Sequence, residues 1–203
     1  MTDPLGVVLA GGQSRRMGDA DKAQMRYPWG ARLVDHAADR LARQIPCVAV
    51  NSTIDYTTGH AWIRDSIADF AGPLAGVLAG LDHAAAKGFS RIVTVSVDAP
   101  FYPTDLAASL CAEAGPIVLA KSSTGEKGRN LQPTFGAWDV DLRHDLRRAL
   151  NGTTRKVLAF VTQYEWQTVE WDTEDLDVFF NANRPEDLLE VHRLASLYSG
   201  EWE

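Results

Sequence analysis

From Leu5 to Lys121 the chain alternates short apolar runs with amphipathic stretches, and this rhythm limits its fold more than any other feature. A valine-containing run begins at Leu5 and breaks at Gly11-Gly12, which reads as a buried strand. From Ala31 to Gln44, Leu33, Val34, Ala37, Ala38 and Leu41 recur at helical spacing with Arg32, Asp35, Asp39 and Arg43 between them, and Pro46 ends the helix. Cys47 to Asn51 reads as a second strand, and Trp62-Ile63-Arg64 as a brief third that leads into Asp65. Gly72-Pro73-Leu74-Ala75-Gly76 opens a helix with proline in its first turn; it runs to about Lys87, where Gly88 stops it. Arg91 to Val97 is the clearest strand and ends at Asp98-Ala99-Pro100. Thr104 is expected to cap the helix through Leu106, Leu110 and Cys111, and Pro116 to Lys121 is the fifth strand.

Strand and helix in alternation make parallel βαβ units, so the expected fold class is α/β, three layers (α/β/α) around a mostly parallel central sheet. In such a sheet ligands bind in the crevice outside the strand C-termini. The loops that start at Gly11, Asn51, Asp65 and Asp98 all follow strand ends and should converge there.

The remainder is less regular. Residues 121–130 are polar and contain glycine, which reads as a mobile segment. Leu131 to Trp138 reads as a strand that Pro133 would confine to an edge. Helices are expected over Val140–Leu150 and Arg155–Phe160, and a strand over Gln167–Trp171. Phe179 to Asn183 reads as a short strand and turn, and Pro185 starts a last helix that reaches about Leu197.

A chain of 203 residues suits one domain with a full core. Its net charge of -7 argues against a general nucleic-acid binder, whose footprint would be basic. Cys47 and Cys111 lack metal-ligand spacing and read as two reduced, buried thiols of a cytoplasmic protein, with a disulfide or metal pair as the lesser alternative. No apolar run approaches membrane-spanning length, and no signal peptide is evident. The five histidines lack ligand spacing.

The residues that could carry chemistry cluster at the strand ends. After Leu9-Ala10, the pair Gly11-Gly12 lets backbone N–H groups approach a ligand, and successive N–H groups form an anion-binding concavity. Arg16 and Lys22 add positive charge, with Arg15 a weaker candidate. This is how a protein cradles phosphates, yet it matches neither the P-loop nor the dinucleotide-binding fingerprint. Asp98 offers a hard carboxylate ligand for Mg²⁺. Asn51 and Asp65 offer an amide and a carboxylate that can pair with a base edge or ribose.

The string L-A-G-G-x-S-x-R-M-G-x-x-x-K resembles the signature loop of the Rossmann-like nucleotidyltransferases, most closely that of the molybdenum cofactor guanylyltransferase (MobA) family. Two further strings carry the resemblance: Gly72-Pro73-Leu74-Ala75-Gly76, and Phe180-Asn181-Ala182-Asn183-Arg184-Pro185-Glu186-Asp187-Leu188. It covers nearly the whole chain. It implies a nucleotidyltransferase fold with residues 1–120 as the nucleotide-binding half and 121–203 as the pterin-substrate half. It implies GTP bound at Leu9, Ala10, Gly11, Gly12, Lys22, Asn51, Asp65 and Asp98, with Arg16, Lys22 and Asp98 as the catalytic set and Asp98 holding Mg²⁺, for which Mn²⁺ can substitute. It places molybdopterin, or the molybdenum cofactor, against Gly76, Arg129, Gln132, Arg155, Asn181 and Asn183. Gln132 departs from the histidine that the family carries there. The implied reaction moves GMP from GTP to the cofactor and releases pyrophosphate, with transient contact to cofactor-insertion or molybdoenzyme proteins and no nucleic acid or membrane. The alternatives are a cytidylyl or sugar-phosphate nucleotidylyltransferase, or a nucleotide-binding adapter without activity. Gly11-Gly12 favours guanine, because cytidylyl relatives usually carry A-A-G there.

Overall fold

The computed structural model describes residues 3–11, 21–67, 72–123, 129–152, 154–172, 176–184 and 186–197; for Arg129, Asn130 and Asp172 it describes the backbone alone. Seven strands, β1 (Leu5–Leu9), β2 (Val48–Asn51), β3 (Ala61–Ile63), β4 (Arg91–Ser96), β5 (Ile117–Ser123), β6 (Arg129–Asp139) and β7 (Trp166–Asp172), form a sheet in the order β3-β2-β1-β4-β6-β5-β7. Every described pairing is parallel except the two made by β6. The register sets Leu5 opposite Ile92 and Leu9 opposite Ser96, so β1 and β4 end level with each other.

Among the described residues six helices cover the sheet: α1 (Leu33–Ala42), α2 (Pro73–Lys87), α3 (Leu106–Ala112), α4 (Arg143–Asn151), α5 (Val157–Val161) and α6 (Asp187–Leu197). Strand side chains alternate between two apolar layers, as a period of two demands. Val8, Val50, Val93 and Val95 pack with α1, α3 and α6. Val7, Leu9, Ala49 and Ile92 pack with α2, α4 and α5. Burial on both faces explains why these strands read as unbroken apolar runs. Gly88 ends α2 at φ 80°, a left-handed conformation that glycine adopts without steric cost.

β6 is longer than its partner β4. The last β4 pairing sets Thr94 opposite Gly136, whereas β6 reaches back to Arg129. Together β5, β6 and β7 therefore stand above the C-terminal ends of β1 and β4 and wall one side of the crevice.

The structure corrects several expectations. β6 is an interior strand, so Pro133 does not mark an edge. The register steps from Leu119 opposite Gly136 to Ala120 opposite Gln132, and Pro133 lies in the resulting bulge, where a missing N–H breaks no ladder bond. Residues Phe179–Asn183 form no strand. They cross one helical layer, with Phe179 packed on Phe135 and Trp171 at ring distances of 5.0 and 5.8 Å. Asp105, not Thr104, precedes α3, and its carboxylate accepts from Ser109 Oγ and Trp171 Nε1, each at 3.0 Å, instead of capping the helix. Cys47 is exposed and Cys111 half-buried, and both are free thiols. The polar stretch 121–130 is partly strand, since Lys121–Ser123 and Arg129–Asn130 pair, and residues 124–128 lie outside the described residues.

Candidate functional site

Lys22 opens a short 3-10 turn, Lys22–Gln24, just past the end of β1. Asp21 caps the turn, its Oδ1 accepting from Ala23 N at 3.1 Å. The turn aims Lys22 at the end of β4. There Lys22 Nζ meets Asp98 Oδ2 at 2.5 Å and Asn183 Oδ1 at 3.0 Å. Ser96 Oγ donates to the other oxygen, Asp98 Oδ1, at 2.5 Å. Asp98 O accepts from Ala182 N at 2.9 Å, which docks the Asn181–Asn183 segment on the same loop. Three chain segments remote in sequence thus meet around Lys22 and Asp98. The side chains of Lys22 and Asp98 are 15% and 14% exposed, open enough for a ligand to reach but shielded enough for their charges to count.

Beyond the end of β2 lies a second polar group. Asn51 is buried, and its Nδ2 donates to Asp65 Oδ1 at 2.9 Å and toward Ile63 O at 3.4 Å. Asp65 is exposed. Asn51 therefore orients Asp65, and Asp65 is the one that faces outward. The amide also explains two glycines. A Cβ at Gly76 would stand 2.4 Å from Asn51 Oδ1 and 2.8 Å from Leu9 Cδ2, and one at Gly11 would stand 3.2 Å from Asn51 Oδ1. Gly76, expected with the acceptor contacts, is instead buried against this Asn51 group. Ala10 N donates to Asn51 O at 2.9 Å, which ties the start of the glycine loop to the same point.

One face of α1, with the turn that follows it, supports the loop after Asp98. His36 and Arg40 lie one helical turn apart on that face, and Gln44 stands just past the helix end. His36 Nε2 donates to Pro100 O at 3.0 Å, Arg40 Nε to Tyr102 O at 2.8 Å, and Gln44 Nε2 to Pro103 O at 3.1 Å. Tyr102 Oη answers by donating to Ala37 O at 2.9 Å. Burial lowers the His36 pKa, only partly opposed by the Pro100 bond. Tyr27 sits against this face, its ring edge-on to His36 at 5.1 Å. Its hydroxyl is buried without a hydrogen-bond partner among the described residues, and burial, reinforced by the Asp98 charge, raises its pKa well above the usual phenol value.

The residues expected to hold the acceptor are more scattered. Asn181 Nδ2 turns back to Phe179 O at 2.9 Å, and Asn183, exposed, takes Lys22 as above. Gln132 Nε2 donates to the buried Ser122 Oγ at 3.2 Å on the crevice wall. Arg155 is exposed, and its Nη1 donates to the carbonyls of Leu150 and Thr154 at 3.1 and 2.9 Å, at the end of α4. Gly12, Arg15 and Arg16 lie outside the described residues, as does the Arg129 side chain.

Two residues escaped the sequence reading. Ser96 stands two residues before Asp98, and that spacing along the end of β4 was the available signal. Tyr27 gave none, because nothing local marks a buried aromatic as adjacent to a distant carboxylate. A carboxylate with a nearby amide oxygen is a hard-oxygen donor set of the kind magnesium takes, one or two protein ligands being completed by substrate phosphate and water. Asp98, with Asn183 beside it, fits such an ion.

A family model described as the MobA-like NTP transferase domain matches residues 6–169. The chain is 42% identical over 203 residues to the molybdenum cofactor guanylyltransferase of Bradyrhizobium sp. (strain ORS 278), covering 95% of this chain and 93% of that one. It is 38% identical over 206 residues to the molybdenum cofactor guanylyltransferase of Nitrobacter hamburgensis, covering 96% of each. The solved structure of molybdopterin-guanine dinucleotide biosynthesis protein A from Archaeoglobus fulgidus shares the fold, with a TM-score of 0.73 at 21% identity over 95% of this chain and 99% of that chain. The matched region holds β1 from Gly6 onward, the Lys22 turn, Asp65 and Asp98, and the chain belongs to the MobA-like NTP transferase family of nucleotidyltransferases.

Proposed function

We propose that the protein transfers GMP from GTP to the molybdenum cofactor, or to molybdopterin, and releases pyrophosphate. The observation that carries this reading is the meeting of Lys22, Asp98 and Asn183 at one point above the strand ends. A cation, a carboxylate and an amide oxygen in contact are what a metal–triphosphate complex needs from a protein. The relatives bearing the guanylyltransferase name supply the choice of nucleotide and acceptor.

In this reading the base lies by Gly11, Gly76 and the Asn51–Asp65 pair. Asp65 accepts from the guanine N1–H and exocyclic amine, as a carboxylate can. Leu9, Ala10, Gly11 and Gly12 pass their backbone along the nucleotide. Lys22 and Arg16 take the phosphates, Lys22 as a point charge and Arg16 as a fork. Asp98, oriented by Ser96, holds magnesium, with manganese as a substitute. When bound, the metal neutralises charge on the triphosphate oxygens. The 121–203 half, with Gln132, Arg129 and the Asn181–Asn183 segment, receives the acceptor. A terminal phosphate oxygen of the cofactor attacks the α-phosphorus, the α–β bond breaks, and pyrophosphate carries away the electron pair. No side chain becomes covalently attached; catalysis is positioning and charge. The reaction so proposed takes place in the cytoplasm. Among the described residues no helix is long and apolar enough to cross a membrane.

The test is pyrophosphate release from GTP in Mg²⁺ buffer with and without the cofactor. Release that requires both GTP and cofactor supports the reading. Equal release from CTP, or none from GTP, overturns it.

A further inference from the structure

The loop between β2 and β3 is exposed at Thr53, Ile54, Asp55, Thr57 and Gly59, yet Tyr56 in its middle is only 8% exposed and packs into the core layer of α1. Its hydroxyl donates to Asp21 Oδ1 at 2.9 Å. Asp21 is the residue that caps the Lys22 turn, and its other oxygen accepts from Gln24 Nε2 at 3.2 Å. The backbone bends sharply to place the ring. Thr57, at φ 55°, is the sole non-glycine residue with positive φ among the described residues, and its N–H is held by Asp55 Oδ1 at 2.8 Å. A threonine in the left-handed region is strained, and such strain persists where the surroundings fix it for a purpose.

This loop starts at Asn51 and returns through β3 to Asp65. It therefore joins the two residues assigned to the base, and through Tyr56 it touches the turn that carries the phosphate cation. We infer that Tyr56 is a positioning residue: by fixing Asp21 it sets the Lys22 ammonium at the height where triphosphate binds and ties that height to the base pocket. The inference rests on the reading of Lys22 as a phosphate contact and deepens it. Tyr56 itself touches no substrate; it acts through Asp21 and Lys22.

The experiment measures GTP and guanosine affinity in Mg²⁺ buffer for the full chain, for Tyr56→Phe, for Lys22→Ala and for the double variant. Tyr56→Phe keeps the ring in the core and removes the bond alone. It is expected to weaken GTP binding by about five- to tenfold, the worth of one such bond, and to leave guanosine binding unchanged. In the Lys22→Ala background the same change is expected to do nothing further, the mark of two residues acting as one unit. Asp21→Ala should reproduce the GTP-selective loss, which guards against an artefact of the aromatic change. Equal loss for guanosine, a loss that persists without Lys22, or no loss at all overturns the inference. Failure of the underlying reading shows separately: Lys22→Ala alone would then leave GTP affinity untouched, and the Tyr56 inference would fall with it.

Discussion

Lys22 Nζ and Asp98 Oδ2 stand 2.5 Å apart, so the cation assigned to phosphate and the carboxylate assigned to metal neutralise each other. Under the proposed function, a metal nucleotide entering the site would exchange this pair, Lys22 turning to phosphate and Asp98 to magnesium. The ion pair is thus a competitor for each ligand and a reason for them to enter together.

That exchange predicts opposite effects for one substitution. Lys22→Ala should lower turnover by about 10²- to 10³-fold, the usual cost of removing one preorganised charge contact. The same variant should bind Mg²⁺ alone more tightly than the parent, because Asp98 loses its competitor. Calorimetric titration with Mg²⁺ and steady-state rates check the two arms, and weaker Mg²⁺ binding in the variant would contradict the exchange.

Asp98→Asn keeps the shape and removes the charge. Turnover should fall by about 10³-fold while the melting temperature moves by no more than about 4 °C. Ser96→Ala, which frees Asp98 Oδ1 from its orienting hydroxyl, should cost less, about 10- to 100-fold, as outer ligands of metal sites do. Rates across a Mg²⁺ series distinguish the two, since the Ser96 variant should recover partly at high Mg²⁺ and the Asp98 variant should not.

Two glycine substitutions in or beside α2 separate close packing from backbone strain. Gly76→Ala drives a methyl into Asn51 Oδ1 and Leu9. It should destabilise by about 1–3 kcal/mol and weaken guanosine binding, because Asn51 cannot move without releasing Asp65. Gly88→Ala meets no neighbouring atom but keeps φ 80°, so it should cost only about 1 kcal/mol and leave nucleotide binding alone. Denaturant melts and a binding curve for each variant test the contrast.

His36 gives a pH dependence with a definite sign. Burial lowers its folded pKa below the ordinary value of 6.5. The folded state therefore resists protonation while the unfolded chain accepts it. Stability from His36 is complete above pH 6.5 and is lost as pH falls through that value toward the lower folded pKa. His83, also lowered by burial, adds in the same direction. Stability measured downward from pH 7 should fall less steeply in His36→Gln than in the parent; an unchanged slope would contradict the assignment.

Much of this was legible in the sequence where local chemistry decides. Apolar runs bounded by glycine and proline marked β1, β2 and β4, and Pro73 with Gly88 marked both ends of α2. The meeting of Gly11, Asn51 and Asp65 followed from parallel strands ending side by side. What escaped was set by contacts between distant segments. Pro133 misled because a bulge in an interior strand excuses a missing N–H as well as an edge does. Phe179–Asn183 misled because its aromatic residues pack on a helical layer and do not pair. Arg155 came with the acceptor contacts through the family resemblance alone, and nothing local in the chain signalled that its Nη1 would bond carbonyls at the end of α4. The division of labour between Asn51 and Asp65 depends on which side chain is buried, and a lone sequence does not say.

In the proposed reaction the bond between the α- and β-phosphates of GTP breaks and the nucleotide passes to the cofactor. The direct measurement uses GTP labelled either in the α- or in the γ-phosphate, incubated with protein, Mg²⁺ and molybdenum cofactor. The α label should appear in the cofactor and the γ label in pyrophosphate. The γ label in the cofactor, or the α label left in free nucleotide, would contradict the account.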